Sequence, residues 1–245
     1  MAEEEELGAM KSLIVLISLL KSGKVLTTLG SMILSLGAYA MAFGWKFASG
    51  FIFLLFAHEM GHYIAARQKG LDVGAPTFIP FVGAWIAMKE IPHDAEVEAY
   101  VGFGGPFLGS IATLLVYLLA RKLDSSLLLA ITYSGLMLNL FNLIPVSPLD
   151  GGRITAVLTP RVWLLGIPAL TAWFLWKPSP MLLLVVIVAI PQFIKAFKYS
   201  DETTANPAYY RISGESRLTY SIYYLGLTGF LSMMAYELHT MLRLH

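Results

Sequence analysis

The sequence predicts an all-α polytopic membrane protein, a helical bundle of about six to seven spans with a short membrane-associated β-ribbon after the second span. Three observations carry that prediction. Hydrophobic residues make up 57% of the 245 positions and charged residues 13%, against roughly 45–50% and about 25% in soluble domains, so charge is too scarce to cover a water-facing surface. Mean hydropathy is +0.68, and residues 127–146 hold no charge, which is the length of about 20 residues that a helix needs to cross a hydrocarbon core. Finally, one segment between spans is punctuated by Pro and Gly in a way that suits strands and disfavours a helix. Net charge is +1, no Lys- or Arg-rich run occurs, and Cys is absent, which excludes a nucleic-acid binder and a disulfide-stapled secreted domain. Chemistry without thiolate must come from His, Asp, Glu, Ser or Thr.

Taken in chain order, residues 1–6 hold four consecutive acids where a secretory leader carries basic residues, so no cleavage is expected. Residues 7–20 are apolar but interrupted by Lys11 and read as an interfacial helix. Residues 1–24 thus form an N-terminal cytoplasmic, interfacial segment, 25–200 the core, and 201–245 a polar loop with a C-terminal transmembrane helix. The spans fall at 25–45, 49–67, 102–120, 127–145, 154–176, 181–194 and 221–242. The fifth carries Arg161 and the sixth is short and contains Pro191, so this pair either crosses or forms a shallow hairpin. Five of the 17 Lys and Arg, namely Lys46, Arg121, Lys122, Lys177 and Arg243, fall on one side and the other twelve on the side of the N-terminus. By the positive-inside bias the N-terminus is cytoplasmic and spans two and four both run inward; the expected location is the cytoplasmic membrane of a prokaryotic cell.

Residues 71–101, between spans two and three, are long for a structureless loop. Pro76, Pro80 and Gly83 argue for two short strands within 73–88, turning near Gly83. Such a ribbon either packs on the bundle as a plain hairpin or offers an unpaired edge to an extended peptide.

The second span contains His58, Glu59 and His62. Three ionisable groups within five residues of a spanning helix are costly to insert and demand partners. Positions i and i+4 share one helix face about 6 Å apart along the axis, so the two imidazoles can converge on one ion while Glu59 points about 100° around the turn. His-Glu-x-x-His is the zinc-protease spacing, with the His pair as ligands to Zn²⁺ and Glu59 as the base for water. Catalytic zinc takes three protein ligands, so a third is needed. Asp150 is the candidate: Pro145 and Pro148 end the fourth span, Gly151 and Gly152 permit a tight reversal, and the second and fourth spans end on the same side. Irregular backbone at membrane depth is tolerated where it is buried or lines a watered cavity.

Asn139 and Asn142 lie three apart near the end of the fourth span. Either they make interhelical hydrogen bonds or they donate to substrate backbone or an oxyanion, with Asn142 nearer Asp150. Arg153 reads as an anchor at the cytoplasmic interface, and Trp163, Trp173 and Tyr224 as part of interfacial aromatic belts. His93 and Asp94 have no ligand spacing. The other readings are an ion or metal transporter, or a catalytically idle membrane scaffold; a base between two ligands serves neither.

His58-Glu59-Met60-Gly61-His62 in one span and Asn142 to Gly151 in a later one, with Pro145, Pro148 and Asp150, resemble the motifs of the site-2 protease family of intramembrane zinc metalloproteases. The resemblance is close over residues 49–152. It implies one zinc held by His58, His62 and Asp150, Glu59 as base, and hydrolysis of peptide bonds in single-pass membrane substrates, often to release membrane-tethered regulators. The family commonly has Gly-Pro followed closely by Asn at the start of the third span. Here the run is Gly104-Gly105-Pro106-Phe107-Leu108-Gly109-Ser110, with Gly109 or Ser110 in place of the amide.

Overall fold

In a computed structural model the described residues are 23–243, apart from 89, 91, 177, 179 and 199–206. The expected helix at 7–20, and nearly all of the segment 1–24, lie outside them. Helix α1 (Gly23–Phe43) stops at Gly44, whose φ of 82° is one that a side chain disfavours. Helix α2 (Trp45–Gln68) starts at once, so α1 and α2 form a hairpin with almost no loop. A glycine in the left-handed region, Gly70 at φ 77°, closes α2 in the usual manner of helix C-termini.

The expected ribbon follows. Strand β1 (Val73–Ile79) pairs antiparallel with β2 (Gly83–Met88), with Phe78 opposite Ala84 and Ile79 opposite Gly83. The turn at residues 80–82 immediately precedes Gly83. α1 holds β1: the Thr28 hydroxyl donates to the Pro76 carbonyl at 2.7 Å, and the Phe78 amide donates to Ser31 Oγ at 3.1 Å. β2 has β1 on one edge and no strand on the other among the described residues.

Helix α3 (Ala95–Lys122) is capped by Asp94, which accepts from the Val97 amide at 2.8 Å, and carries Glu96 and Glu98 in its first turn and Arg121 and Lys122 in its last. Those charges complement the helix dipole. Ser125 caps α4 (Ser126–Asn142) in the same way. α4 ends ahead of Pro145, and the turn through Pro148 leads into the six-residue α5 (Asp150–Thr155). After a 3₁₀ turn (Pro160–Val162) come α6 (Trp163–Trp176) and α7 (Pro180–Lys198); a second 3₁₀ turn (Pro207–Tyr210) precedes α8 (Gly214–Arg243).

The fifth span differs from expectation. Instead of one helix over 154–176, the chain breaks between Thr155 and Trp163, because Pro160 starts a new turn. At 14 residues, α6 is about 21 Å long, short of a hydrocarbon core of about 30 Å. Among the described residues, Val25–Phe43 and Ala95–Lys122 are long and apolar enough to cross a membrane.

Packing places α2 at the centre. Its Gly61 meets α3 backbone to backbone: a Cβ there would lie against the Gly104 carbonyl, and one on Gly104 would fall 2.6 Å from the Gly61 oxygen. Gly50 leaves room for the Ile131 side chain of α4. Small residues therefore bring α2 and α3 within backbone reach and let α4 side chains pack against α2, as membrane helices often do. The α8 helix closes the outer face of α4 through Leu231 and Leu238 against Leu136 and Leu143.

Candidate metal centre

Mid-helix on α2, His58 and His62 project from one face and both are buried. Asp150, the first residue of α5, meets them from the other side. Its Oδ2 lies 3.1 Å from His58 Nε2 and 3.1 Å from His62 Nε2, and the two Nε2 atoms are 3.2 Å apart. Among the described residues these three form a group of ligand-type side chains able to hold a metal ion.

The outer nitrogens decide what that triangle contains. His62 Nδ1 is 2.8 Å from the Val101 carbonyl, which can only accept. His58 Nδ1 is 2.9 Å from Asn139 Oδ1, and the Asn139 amide is turned that way by Nδ2 donating to the Gly135 carbonyl at 2.8 Å. Both rings therefore donate from Nδ1, leaving lone pairs on Nε2 beside a carboxylate oxygen. Three acceptors at van der Waals contact, buried together, call for a cation. Ligands about 2.0–2.1 Å from Zn²⁺ in a tetrahedron stand about 3.3 Å from one another, close to the observed edges. Donor type, number and spacing all fit zinc.

Why the chain folds so is legible at its glycines. A Cβ on Gly105 would run into the His62 imidazole, and one on Gly109 would lie 2.5 Å from Asn139 Oδ1. The α3 run Gly104-Gly105-Pro106 is thus the floor on which the ligand helix rests. Pro106 has no N–H for the Gly102 carbonyl one turn earlier, and the neighbouring Val101 carbonyl is the one that receives His62. On the Asp150 side, Cβ atoms on Gly151 or Gly152 would enter the backbone at Leu143, Ile144 and Val146. That backbone is pinned twice: Tyr224 of α8 donates to the Leu143 carbonyl at 2.6 Å, and Trp163 Nε1 to the Gly152 carbonyl at 2.8 Å.

A cavity of about 840 Å³ opens beside the triangle. Gly83 to Ile86 of β2 line one flank, and Trp173, Leu182, Val185 and Val188 of α6 and α7 line the other. Glu59 is 5% exposed and faces this space, as does Asn142, whose Nδ2 donates to the Leu138 carbonyl of its own helix at 3.0 Å. The two asparagines part company here: Asn139 is 1% exposed and stands behind His58. Arg153, read as an interface anchor, is turned toward the cavity. Its side chain is 17% exposed, lines the cavity and sits 3.9 Å from Asp150 Oδ1, because α5 turns it inward. Trp163 and Tyr224, read as belt residues, instead hold the Asp150 turn. His93 is exposed and Asp94 is a helix cap, so neither joins the centre. Sequence reading missed Val101, Gly105, Trp163 and Tyr224; the Gly-Gly-Pro run was the one visible signal, since adjacent glycines in a helix imply close approach.

Farther out, Tyr209 donates to Glu98 Oε2 at 2.6 Å and Ser216 to Glu96 Oε2 at 3.0 Å, tying the start of α3 to the turn ahead of α8 and to the first turn of α8 itself. Burial first, and then the Glu98 carboxylate, push the Tyr209 hydroxyl above its ordinary pKa, so it stays a donor.

The model of Peptidase family M50 matches residues 46–124. Zinc metalloprotease MJ0392 of Methanocaldococcus jannaschii is 32% identical over 102 residues, covering 40% of this chain and 29% of that protein. Putative zinc metalloprotease Rip3 of Mycobacterium tuberculosis is 28% identical over 132 residues, covering 49% of this chain and 33% of that one. Probable zinc metalloprotease EGY1, chloroplastic, of Arabidopsis thaliana is 26% identical over 153 residues, covering 43% and 28%. The chain thus spans about a third of the length of the curated relatives it matches. A solved structure, the site-2 protease from Methanocaldococcus jannaschii, overlays with a TM-score of 0.44 at 20% identity, covering 74% of this chain and 87% of that one. The motif of α2 lies inside the matched region, and over that stretch the chain is similar to zinc metalloproteases of Peptidase family M50.

Proposed function

We propose that the protein is a zinc-dependent intramembrane endopeptidase that hydrolyses peptide bonds of single-pass membrane substrates. One observation carries the reading: His58, His62 and Asp150 converge as three buried acceptors, and Glu59, the next residue of α2, faces the adjoining cavity. His58, His62 and Asp150 would hold zinc, which when bound supplies Lewis acidity toward a carbonyl oxygen and lowers the pKa of water. The Glu59 carboxylate would accept a proton from an attacking water in the cavity and deliver it to the departing amine. Asn142, on the cavity wall, is placed to hydrogen-bond substrate main chain or the developing oxyanion. The free edge of β2 is suited to hold the substrate extended, so that its scissile carbonyl is exposed.

The membrane arrangement belongs to the same proposal. The chain would cross about six to seven times, with α6 the shortest of the long helices, in the cytoplasmic membrane of a prokaryotic cell with its N-terminus cytoplasmic. A transporter or an idle scaffold has no use for Glu59 between the ligands. No nucleic-acid partner is proposed, in keeping with the net charge of +1. The chain has no native Cys, so single cysteines can be read without background: those at 67 and 153 should be shielded from outside reagents and one at 121 labelled. Labelling of position 121 from the cytoplasmic side would reverse the topology.

The decisive test is Glu59→Gln, which keeps shape and hydrogen bonding but cannot accept a proton. It should retain zinc and fold while losing roughly 10²- to 10⁴-fold in cleavage of a membrane-spanning peptide. A folded, zinc-loaded Glu59→Gln protein cleaving at the normal rate would overturn the mechanism.

A further inference from the structure

The two imidazoles are held by unlike partners. His62 leans on a main-chain carbonyl, Val101, which no substitution at that position removes. His58 depends on one side chain, Asn139, 81 residues away on another helix. We infer that Asn139 is a positioning residue of the metal centre, and that Gly109 is glycine in order to seat it.

Four observations support this. Asn139 is 1% exposed and buried behind His58, on the side away from the cavity that Asn142 lines. Its amide is locked at both ends: Nδ2 donates to the Gly135 carbonyl at 2.8 Å, so Oδ1 must face His58 Nδ1 at 2.9 Å. The acceptor fixes the proton on Nδ1 and directs the Nε2 lone pair toward Asp150 and His62. Lastly, Gly109 of α3 leaves the space this amide fills, since a Cβ there would stand 2.5 Å from Oδ1 and 3.2 Å from both Cγ and Nδ2. Burial also sets the stakes: without Asn139, the His58 N–H would be left without a partner in a dry site, where it could turn the ring or change its tautomer. The role assigned is upstream of chemistry. Asn139 acts through His58 and touches neither substrate nor the reacting atoms.

This inference rests on the metal-site reading of His58, His62 and Asp150. The test is therefore zinc affinity, measured on purified full-length protein by competition with a chromophoric chelator. The wild type should bind one zinc; a wild type that binds none defeats the parent reading and not this one alone. Given binding, Asn139→Ala should weaken zinc by about 10- to 100-fold, the usual effect of removing an outer partner of a histidine ligand. Asn139→Asp, nearly the same shape and still an acceptor for Nδ1–H, should recover most of the loss. Gly109→Ala should weaken zinc on its own by displacing the amide, yet add little in the Asn139→Ala background, where the space is vacant. In the cobalt-substituted protein, Asn139→Ala should alter the visible ligand-field bands and Asn139→Asp should restore them. Wild-type zinc affinity in Asn139→Ala, no recovery in Asn139→Asp, or purely additive losses in the double variant would each overturn the assignment. Should Asn139→Ala fail to fold, Asn139→Asp and Gly109→Ala still decide it: the first must bind zinc near the wild-type level and the second must not.

Discussion

At the metal end of the cavity, side chains do the work: two imidazoles and a carboxylate meet from helices far apart in sequence, each with an assigned partner behind it. Along the flank, β2 presents main chain, with Gly83 to Ile86 lining the space and an edge that carries no strand. The first kind of wall discriminates by element and geometry; the second is indifferent to sequence, since every residue but proline offers the same N–H and C=O. The proposed peptidase activity would use both: a fixed centre for one reaction and a tolerant surface for an extended peptide. The two walls should also fail differently when altered.

The largest effect is expected at Asp150. Asp150→Ala removes one of the three candidate ligands, so zinc content of the purified protein, read by metal analysis, should collapse by more than the about 10- to 100-fold that changes to outer partners produce. Full occupancy would remove Asp150 from the ligand set. Next comes Gly105→Ala, chemically a single methyl group, which would enter the space of the His62 ring. It should cost zinc affinity roughly tenfold or more, and an unchanged titration would show that α2 and α3 can slide apart at no cost. Smallest is the effect on the ribbon. Alternate residues of β2 turn their N–H away from β1, and proline at those positions should slow cleavage roughly two- to tenfold, the worth of one hydrogen bond, with zinc content unchanged. Unaltered turnover across such a scan would return β2 to a plain structural hairpin.

The same contrast explains what could be read in the chain beforehand. The spacing of His58 and His62 is a local consequence of helix geometry, and the turn before Gly83 follows from Pro80 and Gly83, so both were legible in a few adjacent residues. Asp150 was legible for a related reason, because the prolines and glycines around it announce a break. Partners of the ligands were not. That His58 would find Asn139, and His62 the Val101 carbonyl, depends on how closely α2, α3 and α4 approach, which is set by Gly61 against Gly104 and by Gly109 against the Asn139 side chain. The break after Thr155 was hidden too: residues 154–176 are apolar almost throughout, and hydropathy is blind to a turn at Pro160. Trp163 and Tyr224 were taken for belt residues because sequence shows their position along a span and not their side-chain donors.

The separation of the partners along the chain has a consequence for biosynthesis. α2 emerges from the ribosome with both imidazoles and Glu59 but with nothing to bind them. His62 waits 39 residues for Val101, His58 a further stretch until Asn139, and the ligand triangle closes only when Asp150 appears, 92 residues after His58. Tyr224, which pins the turn at Leu143, follows last, 81 residues after Leu143. The polar load of the second helix is therefore neutralised in instalments, first by main chain, then by an amide, then by the carboxylate. During synthesis a nascent chain stopped short of Asp150 carries two histidines on one helix face and only two candidate ligands for an ion, so commitment to a metal is deferred until α5 has docked.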